Sequence, residues 1–239
     1  NTTLLMNEDD EVLQASRIIS YCEEYGIGVF SFKTGGHESA NFIPDMLAYI
    51  KAYLSKKSDS VSVCFMRVPE KGKVKKRLAA DIGEDKALQV YSFLVQKAEC
   101  EFKSSEGDTI FALNKTVDDN RTTLIQKGDD LGKKMANAFS DVFRLGYSKA
   151  VVGGSDIPLL ESELISQALS ALDNSEAVII PAEDGGYALI GFRREFFSSQ
   201  FFDEIAWGTE TVYMETLNKF EKAGLTCSIL ETVYDIDSA

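Results

Sequence analysis

The sequence predicts an α/β protein: a three-layer arrangement with a mixed, mostly parallel sheet, preceded by a small strand-helix-strand-helix segment. Three observations lead there. Short apolar runs of strand length alternate with stretches whose apolar residues recur at helical spacing. The run Val151-Val152-Gly153-Gly154-Ser155-Asp156-Ile157-Pro158 ends a strand in two glycines, offers one carboxylate, and then a proline that forbids further ladder pairing. Asp156 is thereby set at the carboxyl end of a strand, where open α/β sheets bind ligands. Finally, Lys56-Lys57-Ser58-Asp59-Ser60 is small and polar. It divides the chain into a segment at 1–57, a linker at 58–60 and a larger unit at 61–239.

In the first segment, Thr3 to Met6 reads as a strand, Val12 to Tyr25 as a helix, Gly26 to Phe32 as a strand and Phe42 to Leu54 as a second helix. Two strands and two helices leave sheet edges uncovered. The segment is therefore expected to lean on the larger unit or on another copy of the chain, as in a homo-oligomer.

The larger unit begins with a buried strand, Val61 to Met66, running into Arg67-Val68-Pro69-Glu70-Lys71-Gly72-Lys73-Val74-Lys75-Lys76-Arg77-Leu78. Five basic side chains fall between Lys71 and Arg77 in a chain with 25 basic and 38 acidic residues and a formal charge of -13. Local charge against the global trend points to an anion site. Gly72 lets backbone amides approach phosphate oxygens, with Lys73 in the same turn; Lys75 supplies a point charge and Arg77 a planar fork. A helix over 84–98 carries Leu88, Tyr91, Phe93, Leu94 and Val95 as its apolar set, and strands follow at Thr109–Leu113 and Thr122–Ile125. The loop Gln126-Lys127-Gly128 is placed to line a nucleotide pocket, and Asp129 or Asp130 to cap the next helix, whose Leu131, Met135, Ala138, Phe139 and Val142 share a face.

After the Asp156 strand come a helix from about Glu161 to Leu172 and a buried strand, Ala177 to Ala182. The loop Glu183-Asp184-Gly185-Gly186-Tyr187 leads into a returning strand, Ala188 to Phe192. Two carboxylates before a glycine pair suit either a site that brings a polar ligand close to the backbone or a plain hairpin turn. An aromatic-rich stretch, Phe196 to Ile205, is expected to pack on the sheet. Trp207 serves as a core plug or as a platform for an acceptor. A helix from Thr211 to Ala223 and a strand, Thr226 to Leu230, lead to Tyr234-Asp235-Ile236-Asp237, in which alternation points Asp235 and Asp237 the same way, toward one cation.

Composition narrows the partners. With 44% hydrophobic residues among 239, the chain can bury one substantial core. Its acidity disfavours nucleic acid and anionic membrane surfaces and is compatible with a divalent cation. Cys22, Cys64, Cys100 and Cys227 are scattered without a CxxC pair, which predicts reduced thiols, no zinc site and a cytoplasmic location. No apolar run reaches membrane-spanning length.

Two resemblances add to these readings. Residues 1–57 resemble the C-terminal part of an α/β-hydrolase, with Asp10 and His37 matching the acid and base of a triad. No G-x-S-x-G elbow precedes them in this sequence, and acid and base without a nucleophile do not carry acyl transfer. Residues 61–239 resemble the GT-A-like nucleotide-diphospho-sugar transferases, a family of uncharacterised bacterial glycosyltransferases related to molybdopterin and phospholactate guanylyltransferases. The motifs are Pro69-x-x-Gly72-Lys73-Val74-Lys75-x-Arg77-Leu78, Gln126-x-Gly128-x-Asp130-Leu131-Gly132, Gly154-Ser155-Asp156-Ile157-Pro158, Pro181-Ala182-x-Asp184-Gly185-Gly186-Tyr187, Trp207-Gly208-Thr209 and Asp235-Ile236-Asp237.

That resemblance implies a metal-dependent transferase with a nucleotide-diphospho-sugar donor and a small-molecule acceptor. The phosphates would lie on Gly72, Lys73, Lys75 and Arg77, with Gln126 and Gly128 along the nucleotide. Mg²⁺ or Mn²⁺ would sit on Asp156 with Asp235 and Asp237. Asp184, or secondarily Glu183, would activate the acceptor hydroxyl, and Tyr187 and Trp207 would shape the acceptor side. Two alternatives remain at this stage: nucleotidyl transfer from a nucleoside triphosphate to a phosphorylated small molecule, and a non-catalytic nucleotide-binding or scaffold protein.

Overall fold

In the computed structural model, residues 3–7, 28–32, 52–117 and 120–234 are described. Asp10, His37, Asp235 and Asp237 lie outside them. The two strands of the first segment, β1 (Thr3–Asn7) and β2 (Gly28–Phe32), pair in parallel, from Thr3 opposite Gly28 to Asn7 opposite Phe32.

The larger sheet has seven strands in the order β5-β4-β3-β6-β8-β7-β9. These are β3 (Ser60–Met66), β4 (Asp108–Leu113), β5 (Thr123–Ile125), β6 (Lys149–Gly154), β7 (Ala177–Pro181), β8 (Tyr187–Arg193) and β9 (Cys227–Ile229). Every pairing is parallel except those of β8 with β6 and β7. The sheet is thus mixed and mostly parallel, as the sequence predicts. Because β8 returns against its neighbours, the β7–β8 turn opens at the edge where β3 and β6 also end.

Side chains of each strand alternate between two cores, the period of two that a pleated strand imposes. Val61, Val63, Ile110, Val152 and Ile190 share one core with Phe139 and Phe143 of α3 (Leu131–Arg144) and Phe220 of α5 (Val212–Ala223). Cys64, Met66, Phe111, Val151 and Leu189 share the other with Tyr91 and Phe102 of α2 (Glu84–Ser104) and Ile165 of α4 (Ser162–Ala171). Helices on both faces make the three layers. The aromatic stretch packs as expected: two 3-10 turns, Arg194–Phe196 and Ser199–Phe202, set Phe201 and Phe202 against Phe192 in the first core.

A short helix, α1 (Lys76–Ile82), follows the basic loop and anchors itself by burying Leu78. Three expectations are corrected. α2 continues past residue 98 to Ser104, because Phe102 extends the buried set Tyr91, Leu94, Val95 and Ala98 by one more turn. Phe93 falls two residues from Tyr91, on the opposite side of that helix, and is 65% exposed. Leu131 likewise leaves the shared face of α3 at its first turn and is 47% exposed.

The stretch at 56–60 is fixed to the larger unit. Asp108 Oδ2 accepts from the amides of Lys57 (2.7 Å) and Ser58 (3.0 Å) and from the Tyr147 hydroxyl (3.0 Å). Ala52, in the helical residues 52–55, is buried in the same core as Val61.

Candidate functional site

A cavity of about 800 Å³ opens at the carboxyl edge of the sheet. Its walls come from the end of β3 (Phe65, Met66, Arg67), the segment Lys73–Arg77, the end of β6 and its turn (Gly154, Ser155, Asp156, Ile157), Gln126 after β5, and Asp129, Asp130, Leu131 and Lys134 at the start of α3. Tyr91 lies between them.

Lys75 is the centre of the basic wall. Its backbone is left-handed (φ 43°), the N-cap position of α1. That conformation costs a non-glycine residue roughly 1 kcal/mol or more, and such strain persists where the surroundings over-determine it. Its side chain is 3% exposed, and Nζ lies 3.0 Å from Asp156 Oδ2. A buried ammonium is costly unless paired, so Asp156 is part of what keeps the charge there. The Asp156 side chain itself is 41% exposed and also accepts from the Ser155 hydroxyl on Oδ1, at 3.2 Å. The turn that carries it is tied to β3 by the Ser155 amide, which donates to the Phe65 carbonyl at 3.0 Å.

Tyr91 fastens the same corner from the helix side. Its hydroxyl accepts from the Arg67 amide at 2.9 Å and donates to the Arg67 carbonyl at 3.3 Å. Burial pushes its phenol above the ordinary value, with a hydrogen bond to Ser155 opposing and the charge of Asp156 adding to the rise. Burial, and then the charges of Asp156 and Glu99, also hold the nearby Cys64 thiol well above its usual range, so that it stays protonated and unreactive.

Gln126 is locked at the far wall, its Nε2 donating to the carbonyls of Met66 (3.1 Å) and Ala112 (2.8 Å). Asp130 caps α3, its Oδ1 accepting from the Lys133 amide at 2.7 Å. Gly128 (φ 127°) is not on the cavity wall; a Cβ there would meet Lys133 Cβ at 2.7 Å, so its absence lets the loop close on α3. Gly72 (φ 73°) also sits off the wall, where it turns the chain ahead of Lys73.

The other predicted residues form a second group beside the cavity rather than on its wall. Glu183 and Asp184 are exposed in the tight turn between β7 and β8, with Asp184 Oδ1 accepting from the Gly186 amide at 2.9 Å. Gly185 (φ 85°) is pressed on the backbone of Glu210: an added Cβ would stand 2.1 Å from its carbonyl oxygen. The Gly185 carbonyl in turn accepts from the Tyr213 amide at 2.9 Å. Trp207 stacks on Phe202 and meets Tyr187 edge to face, at centroid distances of 6.3 and 6.4 Å. A Cβ on Gly132 would stand 2.6 Å from Trp207 Nε1, so the indole lies flush against the first turn of α3. The Tyr187 hydroxyl is buried, which pushes its phenol far above the ordinary value.

The structure therefore brings Lys73, Lys75, Arg77, Gln126 and Asp156 to one cavity and sets Glu183, Asp184, Tyr187 and Trp207 in the adjoining hairpin and loop. Sequence reasoning missed Tyr91 and Lys134 as wall residues. Tyr91 reads as one more apolar position of α2, although a tyrosine there announces a hydroxyl needing a partner. Lys134 carries no local signal. Of the three carboxylates read as cation ligands, Asp156 is the one among the described residues, and its charge is already balanced by Lys75. Among those residues no group of three His, Cys, Asp or Glu side chains could hold a metal, so they do not on their own fit a divalent ion. No helix among them is long and apolar enough to cross a membrane.

Comparison with known proteins agrees with this architecture. Residues 93–209 match the model of a family described as uncharacterized protein conserved in bacteria (DUF2064). A crystal structure from Desulfovibrio desulfuricans G20, provisionally named a nucleotide-diphospho-sugar transferase, is 36% identical, with a TM-score of 0.72 over 76% of this chain and 84% of that one. More distant matches include a CMP:2-keto-3-deoxy-manno-octonic acid synthetase complexed with CTP (11% identity, TM-score 0.45, 75% of this chain and 93% of that one). Another is the 2-C-methyl-D-erythritol 4-phosphate cytidylyltransferase of Thermus thermophilus (13%, 0.41, 72% and 88%). A search of curated proteins found no match.

Proposed function

The chain belongs to this family of uncharacterized bacterial proteins with the fold of the D. desulfuricans protein, and from that premise we propose that it is a transferase using a nucleotide-diphospho-sugar as donor. The observation that carries the proposal is the buried Lys75 ammonium, 3.0 Å from Asp156, in a cavity with Lys73, Lys76 and Arg77 on the same wall of a chain whose formal charge is -13. Concentrated positive charge at the carboxyl edge of a mostly parallel sheet suits a diphosphate.

In this reading the diphosphate of the donor lies on Lys73, Lys75 and Arg77, and the nucleoside extends across the ends of β3 and β4 toward Gln126. Charge accumulating on the leaving nucleoside diphosphate is met by the ammonium of Lys75, already desolvated and in place, so little reorganisation is needed as the bond breaks. Asp184 takes the proton of an acceptor hydroxyl arriving from the hairpin side, with Glu183 beside it. Tyr187 and Trp207 support that side from behind. Mg²⁺ or Mn²⁺ on Asp156, Asp235 and Asp237 belongs to the proposal as a requirement to be measured, and no step is assigned to it. A small-molecule acceptor and a cytoplasmic setting complete the reading.

The test is a melting-temperature screen of the full chain against nucleotide-sugars and nucleoside triphosphates, with and without Mn²⁺, followed by product analysis. Release of a nucleoside diphosphate from a nucleotide-sugar supports the proposal. Release of pyrophosphate from a triphosphate and a sugar phosphate would replace it with nucleotidyl transfer, and no shift with any nucleotide would leave a scaffold.

A further inference from the structure

Lys134 is a cation that the fold does not account for. It stands in the first turn of α3, where the partial positive charge of a helix N-terminus disfavours an ammonium. The two carboxylates ahead of it are taken by its neighbour: Lys133 Nζ lies 2.9 Å from Asp129 Oδ2 and 3.8 Å from Asp130 Oδ2. Among the described residues Lys134 itself enters no ion pair. Its side chain is nevertheless partly buried on the cavity wall, in the same space as the like charges of Lys73, Lys75, Lys76 and Arg77.

The neighbours of Lys134 on α3 fix the way it faces. Met135 is buried in the first core, and Gly132 lies flush against Trp207. Leu131 and Lys134, three residues apart, share the remaining face, and both line the cavity. That face offers an apolar surface beside an ammonium. It also belongs to a different part of the sheet from the basic wall: Lys75 follows β3, whereas α3 follows β5, two strands away. Through Gly132 the same turn lies against the Trp207 loop, on the side from which an acceptor arrives.

We propose that Lys134 binds an anionic group of the second substrate, a carboxylate or a phosphate, so that the acceptor is a hydroxy acid or a phosphate ester rather than a neutral alcohol or sugar. The inference rests on the transferase reading and names the class of its acceptor. The charge of the donor lies in its diphosphate, which the basic wall meets with Lys73, Lys75 and Arg77. An ammonium set apart from that wall, without a counter-charge of its own, is left for the other reactant. A lysine is a point charge and lacks the planar fork by which arginine favours one geometry, so carboxylate and phosphate share this chemistry and the probes must separate them.

The experiment is calorimetric titration of the full chain, saturated with inorganic pyrophosphate, with glycerol, glycerate and glycerol 3-phosphate, for the wild type, Lys134→Met and Lys134→Arg. The three probes share a carbon skeleton and differ in charge. One of the anions should bind the wild type at least about tenfold more tightly than glycerol, and the tighter of the two tells carboxylate from phosphate. Lys134→Met should remove the preference and Lys134→Arg keep most of it, with pyrophosphate affinity changed by less than about twofold in both. The melting temperature of Lys134→Met should hold or rise slightly, because the first turn loses an unfavourable cation. Equal binding of the three probes by the wild type overturns the inference, as does a preference that survives Lys134→Met. Weakening of pyrophosphate in Lys134→Met by as much as the anions overturns it too, since Lys134 would then serve the phosphates of the donor. Failure of the wild type to bind pyrophosphate or any nucleoside diphosphate would instead remove the transferase reading on which the inference stands.

Discussion

Two stretches at the carboxyl edge of the sheet announce themselves in the same way, by glycines next to a carboxylate, and are built for different ends. At the end of β6, Gly153 packs closely, a Cβ there meeting Leu160 and Phe102 at 3.0 Å, Gly154 has room for one, and Asp156 beyond them faces a cavity and holds the ammonium of Lys75. At the β7–β8 turn, Gly185 allows the backbone to lie on Glu210 and locks the hairpin to the loop that carries Trp207. Both stretches use a glycine to pack closely, and they differ in that the first presents its carboxylate to a buried ammonium while the second binds a turn to a loop. A carboxylate beside glycines is therefore weak evidence of a role until the contact of each glycine is known.

The sharpest way to break this comparison is Asp184→Asn. Asparagine keeps an oxygen for the Gly186 amide, so the hairpin should stand and melting temperature should hardly move. If Asp184 is the base, turnover falls on the order of a hundredfold or more with nucleotide affinity unchanged. Unchanged turnover would leave the whole hairpin as packing. Gly185→Ala is its counterpart. A Cβ at 2.1 Å from a backbone oxygen, at φ 85°, has no flexible neighbour to displace, and we expect a loss of about 3 kcal/mol or more in denaturant unfolding.

The cavity side should answer differently. Lys75→Met removes a buried charge and leaves Asp156 half in water, where it needs no partner. Nucleotide and pyrophosphate affinity should drop roughly thirtyfold by calorimetry, the worth of a charge-assisted bond, while stability changes by about 1 kcal/mol or less. The converse variant, Asp156→Ala, takes from the buried ammonium its carboxylate at 3.0 Å and should cost about 2 kcal/mol, short of a fully buried pair because the carboxylate is partly solvated. A greater stability loss for Lys75→Met than for Asp156→Ala would mean that the pair is held for packing rather than for a ligand.

Much of the fold was legible because its signals are local and repeated. Val61 to Met66 and Ala177 to Pro181 are continuous apolar runs that only a covered strand tolerates, and the Asp130 cap follows from its place just ahead of an amphipathic run. The errors came where angle outweighs type. Phe93 is apolar but faces away from Tyr91, and Leu131 is apolar but turns into the cavity at the first helical turn. The site was legible as far as it is made of unusual residues, such as the basic run from Lys71 to Arg77. It was illegible where ordinary residues matter by position, as with Tyr91 bracing Arg67 or Lys134 standing on the wall. The pairing of Lys75 with Asp156 joins residues 81 positions apart and could only be seen in three dimensions.

A smaller effect tests how far the presentation of Asp156 depends on distant supports. The helix that follows its turn, α4, has no side-chain cap of its own. Glu101 of α2 supplies one, its Oε2 accepting from the Ser162 amide at 2.9 Å. That backbone bond, opposed by partial burial and aided by Lys97, holds the Glu101 carboxyl below its usual range. A lowered folded-state value means the carboxylate adds stability above the ordinary glutamate range and loses it as pH falls through the lowered one. Glu101→Gln keeps an acceptor but not the charge, so it should cost about 0.5 kcal/mol at neutral pH. The difference from wild type should shrink in acid unfolding curves and vanish once pH has fallen through the lowered folded-state value. If the capped turn steadies Asp156, the same variant weakens nucleotide binding by about twofold at neutral pH, and that weakening fades over the same acid range. A variant with the stability loss but full affinity at every pH would show that the Asp156 turn is held without help from the α4 cap, by ties such as those to Phe65 and Lys75.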